Sequence, residues 1–307
     1  MKSSRACLLF VFLFVSLAAC GPASEVMPDS GELASQTREV VAANGLSFNG
    51  LSFNGLSFNG LSFNGLSSNG LSSPAFDSWF QSNPSLADQV MKYVVTCAVP
   101  QGQSRTYTAP ATGVSYTWQG SLGLAPGWAN GAPATLAEQQ VISGCLVAHA
   151  NKYGIHLPIS VMGRTAVGTA LPIAQDETSQ FPMREGCFFG NLFNGEGVFV
   201  GSFGTSMDTR QSSTRPCAFT ESYDSTRPRE QCQPLVFAGS CEQMCTYDAT
   251  GKFFTSCTVN GRSYLPMTTR MRTQDVYSCG DGTCQPSEKC GTSNTYSSCG
   301  TDCGACP

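Results

Sequence analysis

Charge is scarce in this 307-residue chain: Asp, Glu, Lys and Arg together make up 12% of it. Histidine is scarcer still, with only His149 and His156. Two histidines leave few bases for Ser–His–Asp or Cys–His catalysis and too few for a histidine-rich metal centre. No Gly-x-Ser-x-Gly elbow occurs, so the usual α/β-hydrolase nucleophile is missing. Beyond the first twenty residues no apolar run is long enough to span a bilayer.

What is present begins with an export signal. Lys2 and Arg5 form a positive start, and Leu8 to Val15 is an unbroken apolar run. Leu17-Ala18-Ala19-Cys20 then matches a bacterial lipobox, which wants Leu three residues before the cut and Cys just after it. An ordinary secretory peptidase prefers a small residue where Leu17 stands. The expectation is therefore a signal over 1–19 and a diacylglycerol plus an N-acyl chain, such as palmitate, on Cys20. Without Lys2 and Arg5 the mature chain carries 15 basic against 21 acidic residues, a net of −6. That balance argues against nucleic acid and anionic lipid as partners.

Cysteine is plentiful, at 16 residues. Cys7 leaves with the signal and Cys20 takes lipid. Eight of the other fourteen fall between 97 and 257 (Cys97, Cys145, Cys187, Cys217, Cys232, Cys241, Cys245, Cys257). Six fall between 279 and 306 (Cys279, Cys284, Cys290, Cys299, Cys303, Cys306). Two even sets in an exported chain predict four disulfides in a core and three in a tail, with no crossover. A zinc site is disfavoured, because Cys241-x3-Cys245 lacks a matching second half.

Residues 20–43 read as a polar tether. Residues 44–73 are six copies of Asn-Gly-Leu-Ser-(Phe/Ser), with no charged residue between Glu39 and Asp77. A period of five fits neither helix nor strand. A β-coil of pentapeptides would place Leu46, Leu51, Leu56, Leu61, Leu66 and Leu71 inward, but six copies give few stacked units to bury a core. The expectation is thus a linker-like segment that tolerates deletion.

The folded domain is expected over 74–275, in the α+β class: two packed helices with antiparallel β meanders. Asn83-Pro84 opens a helix in which Leu86, Val90, Val94 and Cys97 recur at helical spacing. Thr135-Leu-Ala-Glu138 is a capping box opening a second helix, with Val141, Ile142, Cys145 and His149 on its buried side and Gly154 as its stop. Both cysteines lie on apolar faces, so Cys97–Cys145 is the expected bond. Residues 105–108 and 115–118 read as a hairpin. Residues 205–234 read as a surface excursion, and residues 244–270 as a three-stranded meander whose middle strand puts Phe253, Thr255 and Cys257 on one face. Residues 276–307 form a cysteine-rich module too small to hold itself by a core.

Several chemistries remain open. Cys145 and His149, four apart on a helix, would suit a thiol nucleophile and its base, although cysteine parity favours a disulfide. Glu138, Asp176, Glu177, Glu185 and Glu196 are carboxylate candidates for a glycosidase-like pair, with no spacing that singles out two. Asp281, Glu288 and Asp302 would supply hard oxygen ligands for calcium, or cap turns.

The lipobox, the Asn-Gly-Leu-Ser-Phe repeats and the Cys279-Gly-Asp-Gly-x-Cys284…Asp302-Cys-Gly tail together resemble a myxobacterial type of lipoprotein. Gly21 follows the lipidated cysteine, rather than the Asp that retains lipoproteins at the inner membrane, so the resemblance implies the outer membrane. It implies no catalytic residue for the core. Two function classes follow: a non-catalytic domain binding glycan, peptide or an envelope protein, or an anchored hydrolase using carboxylates. An exposed aromatic strip on the Tyr107–Trp118 hairpin would favour the first, and a cleft with two close acids the second.

Overall fold

The computed structural model describes residues 41–151, 154, 156–203, 211–212, 234–285, 288, 290–292 and 298–307. Cys20, Cys217, Cys232 and most of the 205–234 excursion lie outside them. The class is α+β and disulfide-rich.

Strand β1 (Val41–Asn44) opens the described chain, and the repeats follow it directly. Helix α1 (Pro74–Ser82) starts with Ser73 accepting from the Phe76 amide, and Pro74 stands at its first position. Helix α2 (Pro84–Ala98) is capped by Asn83, which accepts from Leu86 N. Strands β2 (Ser104–Thr108) and β3 (Ser115–Gln119) make the hairpin. Helix α3 (Leu136–His149) carries the complete Thr135–Glu138 capping box. It ends at His149 rather than near Gly154, because Ala150–Asn151 pairs in parallel with Leu46–Ser47 of the first repeat.

The remaining strands longer than two residues are β4 (Leu157–Met162), β5 (Met183–Asn191), β6 (Gly197–Ser202), β7 (Leu235–Ser240), β8 (Cys245–Tyr247), β9 (Phe254–Val259), β10 (Arg262–Tyr264) and β11 (Met267–Met271). A six-stranded sheet runs β1-β4-β11-β5-β6-β7, antiparallel except for β7 beside β6. Strands β8-β9-β10 form a second, three-stranded sheet. Its Asn260-Gly261 turn has both residues at positive φ, as a two-residue hairpin requires. The meander therefore ends at Tyr264, and 267–271 joins the large sheet instead.

The architecture is layered. Helix α3 packs on one face of the large sheet, where Val141, Ile142 and Leu146 meet Phe188, Val198, Val200 and Met267. The small sheet covers the other face, where Cys187, Phe189, Phe254, Cys257 and Tyr264 form a second core. A bulge opposite Thr246 and Tyr247 makes Thr255 the extra residue of β9. Strict alternation fails there, so Phe254 and Cys257 share the second core, while Phe253 is buried just before the strand and Thr255 is only partly buried.

The repeats overturn the linker expectation. Leu46, Leu51, Leu56, Leu61 and Leu66 are fully buried, Leu71 is nearly so, and all six belong to the main core with α1, α2 and α3. The folded unit thus begins before residue 74. The leucines share one core with helix residues such as Phe76, Val90 and Leu146, so the copies need not bury them among themselves alone. In the third to fifth copies the Asn and Gly supply turns, with Gly55, Gly60 and Gly65 at positive φ. Asn54 and Asn59 accept through Oδ1 from the amides of Leu56 and Leu61. Gly55 and Gly65 adopt positive φ, and a Cβ on either would collide with the Trp79 indole or the Gly131 backbone. Side chains of the later domain lock the ribbon down. Trp79 Nε1 donates to Phe53 O, Trp128 Nε1 to Leu61 O, and Arg105 to Leu66 O and Ala129 O. Ser47 donates to Gln89 Oε1, while Gln89 Nε2 donates to Gly45 O.

Candidate functional site

The sequence candidates separate into places that do not meet. Cys97 and Cys145 are joined in a disulfide between α2 and α3, fully buried. Buried His149 lies beside it, with Nδ1 2.8 Å from Cys145 O and 3.6 Å from Cys145 Sγ. A carbonyl oxygen only accepts, so Nδ1 carries the proton. With its sulfur bonded and the neighbouring nitrogen protonated, Cys145 makes no thiol–imidazole dyad.

The remaining core bonds described are Cys187–Cys241 and Cys245–Cys257. The first ties β5 to the short helix Cys241–Met244, and the second ties β8 to β9. In the tail the bonds are Cys279–Cys299, Cys284–Cys303 and Cys290–Cys306, each first-half cysteine pairing in order with one of the second half. No bond among the described residues joins tail to core.

The acids of the tail face backbone. Asp302 accepts from the amides of Gly280, Asp281 and Gly282, and Asp281 from Thr283 N and Gln285 Nε2. These bonds are the turn-capping role open to the acids, and no step is derived through calcium. Glu288 is different. It accepts from Gln285 N through Oε2, while buried Oε1 has no hydrogen-bond partner among the described residues. Burial, reinforced by the charges of Asp302 and Asp281, raises its pKa above the ordinary carboxylate range. A raised folded-state pKa contributes stability that is present below the unfolded value and lost as pH rises through the folded one. The wild type should therefore lose stability as pH rises from about 4, the free carboxylate value, through the raised one, measured as the urea midpoint of the tail transition relative to Glu288→Gln. Parallel midpoints for the two proteins across that range would contradict it.

The core carboxylates are scattered as well. Glu138 is spent on its capping box and on Trp128 N. Asp176 is exposed and accepts from Gln180, and Glu196 pairs with Arg262 at 2.5 Å. Glu177 and Glu185 are both buried, but they accept from Ser160 and Thr269 respectively. Ser160 sits opposite Arg270, the strand neighbour of Thr269, so the two acids attach to opposite faces of the sheet. No two-carboxylate cleft forms among these five. The hairpin aromatics do not make an exposed strip either. Tyr107 and Trp118 are buried against Phe76 and Phe80, and Asp77 takes the Tyr107 hydroxyl, pushing its pKa up, with burial the larger cause, to about 12.

The most polar constellation is one that no sequence pattern pointed to. Register puts Ser160 of β4, Arg270 of β11 and Arg184 of β5 in one row across three strands, on the face shared with the small sheet. Ser160 Oγ donates to Glu177 Oε1 at 2.6 Å, and Ala174 N donates to Oε2 at 2.9 Å. Arg270 donates to Phe181 O and Pro182 O, both at 2.7 Å. Arg184 donates to Tyr247 Oη at 3.3 Å and lies 5.5 Å from the Phe203 ring. Burial, then the charge of Arg184, lowers the Arg270 pKa, while Glu177 opposes the shift. Two half-buried guanidiniums beside one carboxylate make a locally positive, donor-rich face on an acidic protein.

No protein-family model, curated protein or solved structure matches the chain.

Proposed function

We propose that this is a lipid-anchored protein of the cell envelope, held at the outer membrane through Cys20, whose folded part is a non-catalytic binding domain for a glycan, a peptide or another envelope protein. The lipobox Leu17-Ala-Ala-Cys20 carries the anchor. The separation of the five candidate carboxylates carries the preference for binding over hydrolysis, since glycosidase chemistry needs two acids flanking one bond. The dense disulfides suit an oxidising compartment. The row of Ser160, Arg270 and Arg184 is the recognition face this reading favours.

Mass spectrometry of the membrane fraction is expected to find a mature chain starting at Cys20 and carrying a diacylglycerol and an N-acyl chain. A free thiol at Cys20 or an intact signal would overturn the anchor. Binding of envelope glycans without turnover supports the binding domain, and release of reducing ends would move the reading to the hydrolase.

A further inference from the structure

The repeats bury every leucine, yet two of their phenylalanines are left in water. Phe58 is 68% exposed and Phe63 is 75% exposed. They hold equivalent places in consecutive copies, each donating its amide to a glycine three residues back, Gly55 or Gly60. The fold does not need an aromatic ring there. The same position in the last two copies is Ser68 and Ser73, while Leu66 and Leu71 are buried like the others. Phe53, by contrast, stacks on Trp79 at 5.6 Å and has a place in the core.

The surroundings suit a lipid interface. No acidic or basic residue occurs from residue 40 to 76, so an approaching bilayer meets no like charge from the ribbon itself. Twenty residues separate Cys20 from Val41, a reach of up to about 70 Å when extended. The ribbon is therefore among the first described segments after the anchor, at most that length of chain from it. Exposed rings on an uncharged surface match the interfacial preference of aromatic side chains.

We propose that Phe58 and Phe63 insert into the interface of the bilayer that holds the lipid anchor, docking the folded domain on the membrane instead of leaving it swinging on its tether. This rests on the lipid-anchor reading. The expected consequence is a fixed orientation of the domain, with the repeat side toward lipid.

The test uses the full lipidated protein in phosphatidylcholine vesicles, with Phe58→Trp and Phe63→Trp made separately. The native Trp79, Trp118 and Trp128 are buried, so an added exposed indole is read as the difference from the wild-type emission. Each introduced Trp should emit further to the blue on vesicles than in detergent-free buffer, and should be quenched by chain-brominated lipid more strongly than the wild-type tryptophans. Phe58→Ser/Phe63→Ser, which copies the last two repeats, should keep the thermal midpoint and still float with vesicles, but lose protection of the ribbon from proteases on the membrane. Flotation of the variants with no quenching at either position overturns the docking proposal and leaves the anchor standing. Failure of the lipid-carrying fraction to float overturns both.

Discussion

Replacing Leu56 and Leu61 together by alanine is expected to unfold the domain at ordinary temperatures. Each is fully exposed in a free linker and fully buried here, in the core that also holds Phe76, Phe80, Val90 and Trp128. Truncating a buried leucine costs ~2–5 kcal/mol, from lost transfer energy and the cavity left behind. Two such losses approach the entire ~5–15 kcal/mol by which a domain is stable. The positions are close in sequence, so their effects need not add, and one collapsed turn can relax both. Deleting three whole copies should be at least as damaging, because it also removes the bonds from Trp79, Trp128 and Arg105 to the ribbon. Circular dichroism melts of the single and double variants measure this. A midpoint within a degree or two of wild type would mean that the repeats are a tether after all.

The error about the repeats has a definite physical source. A period of five fits no regular element, and six copies on their own cannot bury their leucines. The inference that they stay unfolded holds only if they pack on themselves. Nothing in Asn-Gly-Leu-Ser-Phe says that Trp79, Arg105 and Trp128, which lie 26, 39 and 67 residues from the carbonyls they bind, will receive them. The helices were legible for the opposite reason. Asn83-Pro84 and Thr135-x-x-Glu138 are local signals whose partners sit within one turn. The row of Ser160, Arg270 and Arg184 was not legible at all, because it depends on the register of three strands spread over more than a hundred residues. Bulges hid more of it: the extra residue Glu185 in β5 changes which neighbours of Arg184 share its face.

Losing the Cys97–Cys145 bond should have the next largest effect. The bond closes a separation of 48 residues between the two main helices, and in the chain-entropy model a loop of that size contributes ~4 kcal/mol. Both sulfurs are fully buried, so alanine at both sites also leaves a void. The Cys97→Ala/Cys145→Ala protein should lose ~2–5 kcal/mol in urea unfolding without gaining a reactive thiol. Cys145→Ala alone should leave Cys97 open to alkylation in urea without reductant. An unreactive Cys97 in that sample would show that it has another partner. The same helix α2 also anchors the first repeat through Gln89, which bonds Ser47 and Gly45. Weakening the bond and the ribbon together should therefore be non-additive: once α2 is released by one change, the second has less ordered structure left to lose. A double-mutant cycle between Cys97→Ala/Cys145→Ala and Leu51→Ala measures that coupling, and strict additivity would show that the ribbon and the helix pair unfold as independent units.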